Sequence, residues 1–414
     1  MIRRRTLIAL TALVPVLLVA CGDDDDASTD TAASSDTAVT TPGTAATAGT
    51  GATAATTAGT AAGSTPPSGA PGTDVSPVVA GEPFPEDRCA ANEAAGTITY
   101  LSGFDFAATA SIIDVVVADA AGYYEDLCLD VELTPSFSTA NYPIVAAGDA
   151  QIGSGGSFSE VVDFSIANDV ELVAVDVEGR TAIDSLILHP GAATELEDLA
   201  GATIGVKGKI PPSVAAMLAG AGLVEGTDYQ TVPMDGFDPV AQWELDGIVG
   251  FPGYKSNEPG TLERAGIAFD LFDPTEYDIP GSFGVLFTTA QFAEEHPTVL
   301  EDFLRATMKG LADAVADPAA ATQSAIDLVE ANGNPNFLSP EGESFRWTTD
   351  AASLTAETPA GTGMGIPDPA LLQAELDAYA AVGLFGGTAP DAAPFIAAAP
   401  ITGVYDGDAV IWPA

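Results

Sequence analysis

Residues 97–133, TITYLSGFDFAATASIIDVVVADAAGYYEDLCLDVEL, switch between two hydrophobic periods. Ile98-Thr99-Tyr100-Leu101 is a short β-rich run. Ser111 to Ala121 is an apolar segment of helix length, stopped by Gly122, and Val131-Glu132-Leu133 alternates as a strand does. Strand, helix and strand in so short a span predict a parallel β-α-β unit with a right-handed crossover.

The rhythm continues outward. Tyr142 to Ala147 reads as a short helix before the strand Ala150-Gln151-Ile152, and Leu172 to Val175 and Leu186 to Leu188 read as further strands. After an acidic turn (Glu195, Glu197, Asp198) it restarts with the strand Thr203 to Val206, the helix Ser213 to Ala219 and the strand Gln230 to Val232. Ile248-Val249 and Phe269 to Phe272 complete a second small sheet, and Gly284 to Thr288 reads as a strand returning to the first. Pro297 opens a helix with Leu300, Phe303, Leu304, Met308, Leu311 and Val315 on its apolar face. Asp368 caps another, followed by Pro369 and closed after Tyr379 by Gly383. Beyond Gly383 the Ala/Pro/Gly-rich tail carries no readable period.

The expected architecture is α/β and two-lobed, each lobe a mostly parallel sheet flanked by helices. Chain crossings near 190–200 and 280–284 form a hinge. The predicted divisions are a leader (1–20), a tether (21–81), the first part of lobe 1 (82–192), lobe 2 (193–282) and the return to lobe 1 (283–414).

The ends of the chain point to export. Arg3, Arg4 and Arg5 precede an apolar stretch, Thr6 to Val19, too short to span a bilayer. Leu18-Val19-Ala20-Cys21-Gly22 resembles the bacterial lipobox, which implies lipidation of Cys21 and a palmitate-type anchor. From Ala27 to about Ala80 the chain is nearly all Ala, Thr, Gly, Ser, Asp and Pro, a composition that cannot offset the entropy of ordering. It reads as a disordered tether. What remains, about 330 residues, suffices for two lobes. The net charge of −47, from 59 acidic and 12 basic residues, excludes nucleic acid as a partner and argues about solubility rather than ligand. With Cys21 assigned to lipid, Cys89 and Cys128 are either a disulfide, permitted outside the cytoplasm, or two buried thiols.

Ligands of open α/β sheets bind beyond the carboxyl ends of strands. That rule selects Ser102, Phe104, Asp105 and Phe106 after the first strand, and Ser154 and Ser157 in the Gly/Ser-rich loop 153–159. It also selects Lys207 after Val206, Phe237 after Val232, and Tyr254, Asn257 and Glu258 after Val249. No Ser/His/Asp, metal-ligand or phosphate-loop arrangement appears. His189 and His296 read as hinge, surface or capping residues.

Three blocks in order then resemble one group of solute-binding proteins of ABC importers, those for nitrate, taurine, alkanesulfonates and thiamine pyrimidines. They are Asp119-Ala-Ala-Gly-Tyr-Tyr-Glu-Asp-Leu-Cys-Leu-Asp-Val-Glu-Leu133, Val145-Ala-Ala-Gly-Asp-Ala-Gln-Ile-Gly153 and Leu199-Ala-Gly-Ala-Thr-Ile-Gly-Val206. Tyr254-Lys-Ser-Asn-Glu-Pro-Gly-Thr-Leu-Glu-Arg-Ala-Gly266, followed by Tyr277-Asp-Ile-Pro280, is most similar to the thiamine-pyrimidine branch and shares text with riboflavin binders. The resemblance implies a periplasmic-binding-protein fold and a monomer, without cofactor or metal, that gives a small heteroaromatic to an ABC permease. It implies Asp105 and Glu258 as ring-recognising carboxylates, and Phe104, Phe106 and Tyr254 as stacking rings. Substituting either carboxylate by Ala is then expected to weaken binding about tenfold or more. The chain departs from the group in carrying Phe-Asp-Phe where Trp is frequent.

Other readings stay open. A nitrate, taurine or sulfonate ligand would need a cleft cation, for which Lys207, Lys209 and Lys255 are the candidates. An enzyme akin to thiamine-pyrimidine synthase would need a reactive histidine and clustered cysteines, which this chain lacks. A sensory or adhesive surface protein could use the same fold, although no second hydrophobic segment follows the leader.

Overall fold

The structure is a computed structural model that describes residues 75–414, apart from Phe237, Asn336 and Phe337. The leader, Cys21 and most of the tether lie outside the described residues, as does Phe237. Among the described residues no helix is long and apolar enough to cross a membrane.

Helix α1 (Glu86–Ala95) precedes strand β1 (Thr97–Leu101), α2 (Ile113–Ala120), α3 (Tyr123–Asp126), β2 (Asp130–Thr134), α4 (Ser138–Ala146), β3 (Ile152–Gly155), α5 (Phe158–Asn168) and β4 (Leu172–Thr181). β1 pairs in parallel with β2 and β3, as the opening stretch predicts. Helix α2 starts at Ile113 because Ser111 is left-handed (φ 58°), and it buries Ile113, Val115, Val116 and Ala118 in the first lobe's core. Cys89 in α1 and Cys128, in the turn before β2, are joined by a disulfide with their Cα atoms 5.2 Å apart.

The second lobe runs through β5 (Asp184–Leu188), β6 (Thr203–Val206), α6 (Pro212–Gly220), β7 (Gln230–Pro233), α7 (Pro239–Trp243), β8 (Gly250–Tyr254), α8 (Glu258–Arg264) and β9 (Asp270–Phe272). The chain returns in β10 (Pro280–Thr289), followed by α9 (Ala290–Glu295), α10 (Pro297–Ala316), α11 (Pro318–Asn332), α12 (Pro340–Glu357) and α13 (Pro369–Ala381). Both helix starts read from the sequence are present: Pro297 opens α10, and the Asp368 carboxylate accepts from the N–H groups of Ala370 and Leu371. The tail past Gly383 folds as a short helix, α14 (Ala399–Thr402), and a hairpin, β11 (Tyr405–Asp406) with β12 (Ala409–Val410). It is held by long-range bonds that no local period announces, such as Arg305 Nη1 to the Ile411 carbonyl at 3.0 Å.

Two expectations need correction. The sheets are mixed, not mostly parallel. The first has the order β2-β1-β3-β10-β4, with β10 antiparallel to both neighbours, and β5 is antiparallel to β8 and β9 in the second. Strand β5, expected in the first lobe, therefore belongs to the second, and the first crossing lies at 181–184 rather than near 190–200. The error has a plain cause. β4 and β10 are each ten residues long and pair from Pro280↔Thr181 to Thr289↔Leu172, so they carry the chain up to the hinge together.

Candidate functional site

The loop after β1 turns inward. Asp105 is left-handed (φ 49°) and 7% exposed, and its Oδ2 accepts from the Asn334 N–H at 2.6 Å. Its carboxylate thus anchors the segment following α11. The recess it lines with Phe104, Asn334 and Arg346 has an accessible volume of about 10 Å³, room for one water and no solute. Phe106 is fully buried in the first lobe's core, which corrects its expected role as a stacking ring. Phe104 is half-buried, edge-on to Phe137 with centroids 5.5 Å apart. Ser102 and Ser154 are buried as well: the Ser102 Oγ accepts from Ser136 N–H at 2.9 Å, and the Ser154 Oγ lies 2.6 Å from the Ser111 Oγ. Asn141 clamps both loops by donating to the carbonyls of Ser102 (2.9 Å) and Ser154 (2.8 Å). These hydrogen bonds shape the loops after β1 and β3, while the Asp105 Oδ1 stays buried without a hydrogen-bond partner among the described residues.

The groups that do face the interlobe space come from other elements. β5 begins at Asp184, cross-strand from Tyr254 at the end of β8, so a carboxylate and a phenol stand side by side at the hinge. Tyr254 is 46% exposed. From the first lobe comes Glu160, in the first turn of α5, with an exposed side chain whose Oε2 accepts from the Tyr142 hydroxyl at 3.0 Å. Gly156 makes room for it, since a Cβ there would stand 2.5 Å from that oxygen.

These side chains are open to water yet enclosed by protein, as the walls of a cleft are, and their acidities reflect the enclosure. Burial raises the Asp184 carboxyl to about 7, helped by the charges of Glu160 and Glu258 and opposed by Ser213, whose hydroxyl donates to Oδ2 at 3.1 Å. Enclosure likewise raises Glu160, against the Tyr142 hydrogen bond. It raises the Tyr254 hydroxyl well above its ordinary value, with Asp184, Glu160 and Glu258 adding to the effect. The site is an acidic wall beside an aromatic face.

Two of the three candidate cleft lysines are engaged with carboxylates, and the charge of the third, Lys209, acts on Glu160. Lys207 Nζ lies 2.9 Å from the Glu258 Oε1, and the Tyr254 N–H donates to Oε2 at 2.8 Å, so both oxygens of Glu258 have partners inside the protein. Lys255 pairs with Asp273 at 3.0 Å. Asn257 Oδ1 accepts from Arg346 Nε at 3.0 Å.

The start of α5 is equally satisfied. Its first three N–H groups donate to Ser282 Oγ (Phe158, 2.9 Å), Glu375 Oε1 (Ser159, 3.0 Å) and the cap Ser157 Oγ (Glu160, 3.4 Å). A helix N-terminus normally attracts an anion. Here the buried Glu375 occupies that position, and α6 begins on Pro211 and Pro212, which have no N–H to offer.

Of the residues singled out from the sequence, Ser157, Lys207, Tyr254 and Glu258 therefore gather around the cleft, while Ser102, Asp105, Phe106 and Ser154 turn away from it. Glu160, Asp184 and Tyr142 went unread. The spacing Ser157-x-x-Glu160 is that of a helix cap, and Asp184 looks like a turn residue between strands.

The family described as NMT1/THI5 like matches residues 109–321. Among curated relatives, the riboflavin-binding protein RibY of Chloroflexus aurantiacus is 30% identical over 136 residues, 32% of this chain and 38% of that protein. A formylaminopyrimidine-binding protein of Halalkalibacterium halodurans is 29% identical over 213 residues, 49% of this chain and 62% of that protein. This chain thus spans less than two thirds of the length of either. Among solved structures, the periplasmic aliphatic sulphonate binding protein SsuA of Escherichia coli superposes with a TM-score of 0.56 at 13% identity, covering 72% of this chain and 91% of that one. The alkanesulfonate-binding SsuA of Xanthomonas axonopodis gives 0.53 at 13% identity, covering 77% and 98%. At such identity the likeness is one of fold: α/β, with mixed sheets flanked by helices.

Proposed function

The chain belongs to the NMT1/THI5-like family, and from that premise we propose that it is the solute-binding component of an ABC import system. Its ligand is a flat heteroaromatic rich in N–H donors, of the aminopyrimidine class, held between the lobes and passed to a permease. No bond is made or broken. Lipid on Cys21 keeps the protein, as a monomer, at the outer face of the cytoplasmic membrane.

One observation carries the ligand class: Glu160 and Asp184 face the cleft beside half-exposed Tyr254, while Lys207 and Lys255 are paired with carboxylates. A carboxylate in an enclosed space needs a donor opposite it, and an aminopyrimidine brings both donors and a ring to lay on Tyr254. A sulfonate or nitrate would instead meet an acidic wall and a helix end already satisfied by Glu375. The names of the two curated relatives support the same class, since formylaminopyrimidine and riboflavin are both flat heteroaromatics carrying N–H groups.

A thermal-shift series with an aminopyrimidine, riboflavin, taurine and nitrate tests the proposal. A true ligand at a hundred times its Kd adds about 2.7 kcal/mol of stability. The aminopyrimidine is expected to raise Tm by several degrees and the two anions to leave it unmoved. A shift with riboflavin alone would keep the site and change the ligand. A shift with the anions alone would overturn the proposal.

A further inference from the structure

Away from the cleft, inside the first lobe, three carboxylates meet in the core. Asp114 lies in the first turn of α2, and Asp176 and Glu178, two residues apart on β4, share the face of the sheet turned toward it. All three are 0% exposed. Among the described residues no donor forms a hydrogen bond with any of their six side-chain oxygens. One oxygen from each lies within 4.8 Å of the others.

Backbone N–H groups approach them, Val115 beside Asp114, Val177 beside Asp176 and Ser111 beside Glu178, but no cationic side chain among the described residues does. Three acids in the core without one are not explained by packing, because a buried charge demands a partner. A proton shared between two of them can quiet that pair, but it leaves Asp176 with both oxygens unpartnered. The backbone is cut away beside it as well. Gly365, at φ +78°, approaches so closely that a Cβ would stand 2.1 Å from the Asp176 Oδ1, and its carbonyl accepts from the Val177 N–H at 2.8 Å.

We propose that Asp114, Asp176 and Glu178 form a buried site for one hard divalent cation of the calcium class. Oxygens within 4.8 Å of one another fit on one coordination sphere, since calcium–oxygen bonds are about 2.3–2.6 Å long. Bound through both oxygens each, the three carboxylates would supply six, the lower limit of the coordination calcium takes, and ligation without water suits calcium better than magnesium, which holds its waters. The cation ties α2 to β4, the strand that leads into the hinge. This site is independent of the ligand reading above.

The test is calcium binding to the full chain, stripped with chelator and studied at 0.1 M salt to suppress loose binding to its acidic surface. Elemental analysis and calorimetry are expected to give one tight calcium per chain, a Tm several degrees higher with calcium than with magnesium, and at least a tenfold loss of calcium affinity in Asp176→Asn. Because Asn removes a buried like charge, that variant should fold; Glu178→Gln is the second variant, and circular dichroism checks both. Two results overturn the proposal: no tight calcium in the unsubstituted protein, or equal calcium affinity in both folded variants. In either case the triad holds protons alone.

Discussion

At the residue scale, the two carboxylates that resemblance selects and the two that the geometry selects behave differently. Asp105 holds the N–H of Asn334, whereas Glu160 accepts from the Tyr142 hydroxyl, feels the charge of Lys209 and keeps an exposed face. Asp105→Ala should therefore cost about 1–3 kcal/mol of stability by removing a charge-assisted hydrogen bond, and leave ligand affinity within twofold. Glu160→Gln can still accept from Tyr142 but loses its charge, and should weaken an aminopyrimidine by about tenfold at unchanged or higher Tm. Urea unfolding and calorimetry on both variants check this pair, and the reverse pattern would return recognition to the Asp105 loop. Local sequence marked Asp105 because it lies between two aromatics after a strand. What turns it away is the contact with Asn334, 229 positions distant and invisible to any window.

At the element scale, what was legible follows from periodicity and caps. The β1-α2-β2 unit, the Pro297 helix and the Asp368 cap are local statements, and all three are present. What was not legible is pairing. β5 reads as a strand in any lobe, and only its register with β8 and β9 assigns it to the second and brings Asp184 to the hinge. That placement has a pH consequence. Burial raises Asp184 to about 7, with Glu160 and Glu258 raising it further and Ser213 and Lys255 lowering it. On α12, burial raises Asp350 to about 7 against the influences of Ser256, Ala110, Arg346 and Lys255. A carboxyl raised on folding binds a proton that the unfolded chain releases, so its stabilisation is full below about pH 4 and is lost as pH climbs through 7. The ligand-free protein should lose on the order of 1–3 kcal/mol between pH 4.5 and 8 at fixed calcium, read from the urea midpoint. Mutual repulsion within a net charge of −47 acts in the same direction. A flat or rising midpoint would show that these carboxyls are not enclosed as described.

At the scale of the whole molecule, two mixed sheets are joined by a pair of long strands, and the cleft lies where those strands change lobes. Ligand-induced closure is the expected motion of such a hinge. It would bring Glu160, from the first lobe, toward Asp184 and Tyr254 of the second. The lobes themselves were readable from the restart of the β-α rhythm, but the cleft's chemistry was not, because its walls come from both lobes at once. The most direct measurement is a crystal structure of the protein with an aminopyrimidine bound. The expected result has the ring on Tyr254 and an amino N–H within about 3.2 Å of the Glu160 or Asp184 carboxylate. A ligand found instead against Lys207 and the start of α5, or in the recess beside Asp105, would contradict the account.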